Sequence, residues 1–276
     1  MRNDEQEQYW NGPGGRTWRD MQAVVDGMLE PLTHLLVDAA ATASDLRVLD
    51  VGCGAGSTTL AMARRLGAQG RCTGVDISEP LIAMAVERAQ REGAPASFIR
   101  ADAQTHQFEP GAFDAVISRF GVMFFDDPVA AFANLRRAAR HGATLHFVAW
   151  RSPAENPFMT AAERAAAPLL PNIPQREPGA PGPFALADRQ RLNAILETSA
   201  WSDIELRPIE VSCTFPESEL VRYFTRLGPV GRVFPELDEQ ARDRLIATLR
   251  PAFDPYVHSS EVCFTASCWN VSARAG

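Results

Sequence analysis

"RVLDVGCGAG", residues 47–56, decides the reading of this chain. Aliphatic residues up to Val51 suit a buried strand, and "STTLAMARRL", directly beyond, has helical spacing. Between them stand Gly52, Gly54 and Gly56 at alternate positions. A glycine turn joining a strand to a helix lets the backbone approach a ligand closely, because no Cβ intervenes. The amide groups and the helix N-terminus then point outward as an anion or nucleotide platform.

The surrounding pattern repeats strand and helix. A strand at "RCTGVDI" leads to a helix at "SEPLIAMAVERAQREG", with Ser78 as its cap, Pro80 in its first turn and Gly93 at its end. Strands at "ASFIRAD" and "FDAVISRF", a helix at "DPVAAFANLRRAAR" and a strand at "ATLHFVAW" follow. Alternation at this spacing predicts a parallel sheet covered by helices on both faces. Residues 17–43 read as helix, with Pro31 as a break point. Residues 151–183 are proline-rich and read as an irregular loop around a short helix. A helix at "LADRQRLNAILETS", a strand at "DIELRPIEVSCTF", helices over 217–250 and a strand at "EVCFTASCWNVSARA" complete the chain.

Composition narrows the chemistry. The 276 residues, 46% hydrophobic and 22% charged, suit an ordinary globular enzyme with a sizeable core. A net charge of -7 argues against a broad nucleic-acid footprint, and the arginine pairs at 64–65 and 136–137 read as solvated helix faces. There is no lysine, which excludes a Schiff-base lysine and a P-loop lysine. Five cysteines without a CxxC pair indicate neither a zinc cage nor a disulfide framework, and no metal is expected. The polar start and the lack of a long apolar run imply no signal peptide, no membrane span and a cytoplasmic location.

Two ligand classes use such a glycine turn. Dinucleotide enzymes carry GxGxxG, but Ser57 stands where the third glycine would fall. Asp76, at the second strand's end, can accept hydrogen bonds from ribose hydroxyls, which both NAD and S-adenosylmethionine offer. Asp50, two residues before the first glycine, would repel a pyrophosphate but suits a cationic amino-acid ligand. Asp102 is placed to accept from an adenine amine, and the fourth strand ends in the apolar "ISRFGVMFF".

With "VLDVGCGAG", "GVDIS", "ADAQ" and "FDAVISRFGVMFF" in order and at matching spacing, the chain resembles class I S-adenosylmethionine-dependent methyltransferases over roughly residues 45–150. More loosely, "YWNGPGGRTW" and "PGPFALADRQRLNAILETSAWSDIEL" look like the subgroup related to ubiquinone and menaquinone methyltransferases. The resemblance implies an α/β, Rossmann-like sheet of seven mostly parallel strands, with the last strand antiparallel and inserted before the sixth. Helices on both faces and a helical lid complete it. The expected division is an N-terminal cap over 1–44, a cofactor-binding core over 45–150, and lid segments with completion of the sheet over 151–276, all one integrated domain.

Carried over residue by residue, the resemblance implies that S-adenosyl-L-methionine meets Gly52, Cys53, Gly54 and Gly56 along its amino-acid and ribose part. Asp50 holds its ammonium region indirectly, Asp76 the ribose, Ile77 the adenine face, Asp102 and Ala103 the adenine edge, and Ser118 the methionine portion. Methyltransferases of nucleic-acid or protein amines often carry an Asn/Asp-Pro-Pro-aromatic motif after the fourth strand. The "SRFGVMFF" here points instead to a small, apolar or aromatic acceptor. Trp10, Trp18, Phe120, Met123, Phe124, Phe125 and Phe158 are candidate pocket walls, each with an equal reading as plain core. His34 and His258 could reach the mouth, His146 reads as a core histidine, and no catalytic residue is assigned. The acceptor atom (oxygen, nitrogen or carbon) and the oligomeric state, a homodimer included, are left open. Two other readings stand beside this one: a nicotinamide-dependent oxidoreductase, and a non-catalytic binding module that keeps the fold.

Overall fold

The computed structural model describes residues 3–171, 173, 176, 177 and 179–276, so parts of the proline-rich loop lie outside the described residues. Strands β1 (Arg47–Val51), β2 (Arg71–Asp76), β3 (Ala96–Arg100), β4 (Phe113–Arg119), β5 (Ala139–Trp150), β6 (Trp201–Pro216), β7 (Val257–His258) and β8 (Glu261–Ala275) form one sheet. Its order is β3-β2-β1-β4-β5-β8-β6. The first five strands pair in parallel, and β8 runs antiparallel to both β5 and β6. The two-residue β7, which pairs with β8, adds an eighth strand to the seven expected. Strand order reverses between β2-β1 and β4, and that switch point opens a crevice beyond the strands' carboxyl ends.

Helices α1 (Asp4–Asn11), α2 (Pro13–Asp20), α3 (Gln22–Met28) and α4 (Glu30–Ala40) precede the sheet. The predicted helix over 17–43 is thus divided at Met21 and Leu29, and Pro31 lies in the first turn of α4, where its missing N–H costs nothing. Helix α1 has too few apolar residues to announce itself by periodicity. Further on come α5 (Ser57–Arg65), α6 (Glu79–Glu92), α7 (Pro128–Ala138), α8 (Pro157–Ala166) and α9 (Arg189–Thr198). The segment over 217–250 forms α10 (Leu220–Arg226), α11 (Gly228–Val233) and α12 (Glu239–Leu249). Among the described residues no helix is long and apolar enough to cross a membrane.

The helix starts differ in part from the expected capping. Helix α5 opens on Gly56 in the left-handed region, with Ser57 already helical. The Ser78 hydroxyl precedes α6 but donates to the Trp10 carbonyl at 2.7 Å instead of capping. Asp127 does cap α7, accepting from the Ala130 amide at 3.0 Å.

Candidate functional site

At the switch point lies a cavity of about 1610 Å³. The three glycines serve it unequally. Gly54 (φ +53°) borders it, and a Cβ there would meet nothing within 4 Å, so its missing side chain leaves open space for a ligand. Gly52 (φ +67°) also borders it, but a Cβ would lie 2.5 Å from the Gly121 Cα. Its absence lets the ends of β1 and β4 touch backbone to backbone. Gly56 (φ +83°) does not reach the cavity: a Cβ would lie 3.0 Å from the Ala85 Cβ and 3.1 Å from the Phe98 ring. The close helix–strand packing that dinucleotide folds obtain from a third glycine is here Gly56's task. Gly56 was expected along the cofactor, and the structure places it in this packing, beside the lining residues Ala55 and Ser57.

Asp76 reaches the cavity from the tip of β2. Its two carboxylate oxygens accept from the Gly54 amide and the Ser78 amide, each at 2.8 Å. Burial raises its pKa above the usual carboxylate value, opposed by these amide bonds. One carboxylate therefore holds the glycine turn and the start of α6 in register, with lone pairs left for a diol. Asp76→Ala is expected to weaken S-adenosylhomocysteine binding more than about tenfold, since a charged hydrogen bond is worth roughly 1.5–3 kcal/mol. Isothermal titration would show it, and unchanged affinity would remove Asp76 from the ribose. Ile77, Asp102 and Ala103 border the same end. Asp102 is fixed by the Gln104 amide at 2.9 Å, and Asn134 holds the Ala103 carbonyl at 2.9 Å.

Ser118, expected at the methionine portion, turns inward, as does Asp50, whose expected role was indirect. Ser118 is fully buried and outside the lining. Its hydroxyl donates to the Val51 carbonyl at 2.7 Å and accepts from the Gly121 and Val122 amides at 3.1 and 3.2 Å. It thus fastens β4 to β1 where Gly52 meets Gly121. Asp50 is 1% exposed and also outside the lining. One of its oxygens accepts from Thr59 at 2.6 Å and the other has no partner.

Burial pushes the Asp50 pKa up to about 7, with the Thr59 hydrogen bond and Arg119 acting against it. The folded state therefore keeps a proton that the unfolded chain loses near pH 4, and stability falls as pH rises from about 4 to 7. Relative to Asp50→Asn, the wild type is expected to lose on the order of 2–4 kcal/mol across that range. Denaturant unfolding of both proteins at pH 5 and pH 8 measures the difference, and parallel curves would contradict it. Cys53 borders the cavity, yet burial raises its thiol pKa well above normal, so it is no thiolate nucleophile.

The other walls come from α1, α2 and α8 and from the segment that follows β4. Trp10, Trp18, Phe120, Met123, Phe124, Phe125 and Phe158 all border the cavity. Helix α1 is clamped over the β2 end: Asn11 accepts from the Glu79 amide at 2.8 Å and donates to the Ile77 carbonyl at 3.1 Å. Trp10 packs edge-on against Trp18 at 5.8 Å and Phe124 at 5.3 Å. In "NGPGGRTW" a Cβ on Gly15 would lie 2.0 Å from the Trp10 carbonyl oxygen, and one on Gly14 would lie 2.4 Å from the Tyr9 ring. Phe120 adopts φ 66°, a strained conformation for an aromatic residue, and stacks on Trp150 at 4.4 Å with 3° between planes. His34 is exposed beside Glu30, and neither it nor His258 borders the cavity. Burial lowers the pKa of His146, on β5.

Sequence reasoning missed a polar cluster on the same wall. Gln22, Asp26 and Arg119 border the cavity. Asp26 pairs with Arg88 at 3.0 Å and Arg119 at 3.7 Å, and Gln22 donates to it. Arg88 also donates to the Ala55 carbonyl at 2.7 Å, tying α3 and α6 to the glycine turn. The legible signal was an arginine inside the otherwise apolar "ISRFGVMFF". Tyr223, Glu163 and Arg176 were missed as well.

A methyltransferase-domain family model matches residues 48–142. An uncharacterized protein of Mycobacterium tuberculosis is 35% identical over 131 residues, 48% of this chain and 47% of that protein. Aklanonic acid methyltransferase of a Streptomyces species is 34% identical over 118 residues, 42% of this chain and 54% of the enzyme. The chain thus spans about half the length of the curated relatives it matches. Among solved structures, the YcgJ protein of Bacillus subtilis superposes with a TM-score of 0.59 at 17% identity, over 89% of this chain and 98% of that one, a likeness of fold. Residues 48–142 therefore match the methyltransferase-domain family, and they lie in a Rossmann-like α/β fold.

Proposed function

We propose that the whole chain transfers a methyl group from S-adenosylmethionine to a small, apolar or aromatic molecule, holding both in the one cavity. One observation carries this reading: the open cradle over Gly54, with Asp76 beside it, is continuous with an aromatic chamber around Phe120, Trp150 and Phe158. The residues fit the cofactor. Gly54 leaves room for its backbone-facing side, Asp76 accepts from the ribose, and Ile77 with Ala103 and Asp102 flank the adenine. Arg88 and Arg119 both pair with Asp26 on the cavity's polar wall, and Arg119 also acts on Asp50.

When bound, the cofactor supplies an electrophilic methyl on sulfonium; the acceptor's nucleophile bonds to that carbon as the C–S bond breaks, leaving S-adenosylhomocysteine. The chain's own part is positioning and water exclusion, which in-line displacement rewards strongly. A base is needed only where the acceptor atom must lose a proton. The aromatic chamber and the lack of an Asn/Asp-Pro-Pro motif support a small acceptor. A relative named for aklanonic acid, not for a macromolecule, supports it too. The narrower kinship with quinone methyltransferases belongs to the same proposal, supported by "YWNGPGGRTW" closing the cofactor end. So does the division into cap, core and lid, supported by the cavity's walls coming from all three.

The test is incubation with methyl-labelled S-adenosylmethionine, a panel of hydroxy- and amino-aromatics, tRNA and protein. Label recovered in a small molecule is the expected result. Label in tRNA or protein would contradict it.

A further inference from the structure

The inner end of the chamber is aromatic on several sides. Phe158 stacks on Phe264 at 4.2 Å and 7° and lies 5.4 Å from Phe253. Tyr223, on α10, joins this cluster, 5.2 Å from Phe158 and 5.3 Å from Phe215. Tyr223 borders the cavity, and among the described residues its hydroxyl has no hydrogen-bond partner. The nearby charges are committed. Arg176 bonds to both carboxylate oxygens of Glu163 and lies over the Phe184 ring. Arg191 donates to the Ala185 and Gly179 carbonyls at 2.8 and 3.1 Å.

Tyr223 is half-buried, and a phenol hydroxyl that opens onto an aromatic chamber without a protein partner is free to pair with a polar atom of the chamber's occupant. Burial raises the Tyr223 pKa, so the hydroxyl keeps its proton and acts as a donor, not a base. Flat aromatic walls favour stacked or edge-on rings.

We propose that Tyr223 is a specificity-determining residue of the acceptor site, whose hydroxyl donates to an oxygen on a neutral, planar aromatic acceptor held in this chamber. This deepens the methyltransferase reading and rests on it. It selects within that class, because a site built to pair an oxygen discriminates against an analogue lacking it.

The experiment uses wild type and Tyr223→Phe, each saturated with S-adenosylhomocysteine and titrated with 2-naphthol and with its oxygen-free match 2-methylnaphthalene. S-adenosylhomocysteine affinity is expected to be equal in both proteins, which shows that the variant is folded with its cofactor end intact. 2-Naphthol is expected to bind the variant about tenfold more weakly, the worth of one hydrogen bond, with 2-methylnaphthalene unchanged. Equal 2-naphthol affinity in the two proteins, or no 2-naphthol binding by wild type loaded with S-adenosylhomocysteine, would overturn the assignment. Failure of wild type to bind S-adenosylhomocysteine would instead overturn the methyltransferase reading beneath it.

Discussion

Gly54→Val is expected to weaken S-adenosylhomocysteine binding at least about 100-fold while leaving the protein folded. The space over Gly54 is empty of protein: a Cβ would meet nothing within 4 Å. A valine Cβ therefore enters the volume assigned to the cofactor without contact with the chain's own atoms. Its amide still reaches Asp76, so the turn keeps its anchor. The cost to folding is that of a β-branched residue at φ +53°, on the order of 1–3 kcal/mol. Calorimetry and thermal unfolding on one preparation separate the two effects. A variant that binds with wild-type affinity would refute the close approach of ligand to backbone.

Gly52→Ala is expected to fail in the opposite manner. Here the added methyl would lie 2.5 Å from the Gly121 Cα and 3.2 Å from its carbonyl carbon, and backbone cannot swing aside as a side-chain tip would. The residue sits at φ +67°, and Ser118 pins the two strand ends together through the Val51 carbonyl and the Gly121 amide. Overpacking and left-handed strain together are expected to cost about 3 kcal/mol or more, enough to lower Tm by several degrees or prevent accumulation of folded protein. Denaturant unfolding of Gly52→Ala beside Gly54→Val makes the comparison. Equal stabilities would show that the two glycines do not differ as described.

That contrast shows where the sequence is legible. The strand–turn–helix at 47–65 and Asp76 twenty residues after Gly56 are local patterns, as is the β8 segment that closes the sheet, and each stands where its pattern puts it. A glycine that clears room for a ligand and one that clears room for Gly121 look the same in sequence, because the second partner is far along the chain. Asp50 and Ser118 sit at strand tips, where the choice between cavity and interior depends on Thr59, Val51 and Gly121. Tyr223 was hidden for the same reason: its ring neighbours come from positions 158, 215 and 253. Helix α1 escaped because it is held by Asn11 and the Trp10 backbone, not by an apolar stripe.

The central claim is that the cradle over Gly54 and Asp76 holds S-adenosylmethionine. Calorimetric titration of the purified protein with S-adenosylhomocysteine, with NAD run in parallel, tests it most directly. Micromolar binding of S-adenosylhomocysteine and none of NAD is the expected result. Binding of NAD alone, or of neither ligand, would contradict it.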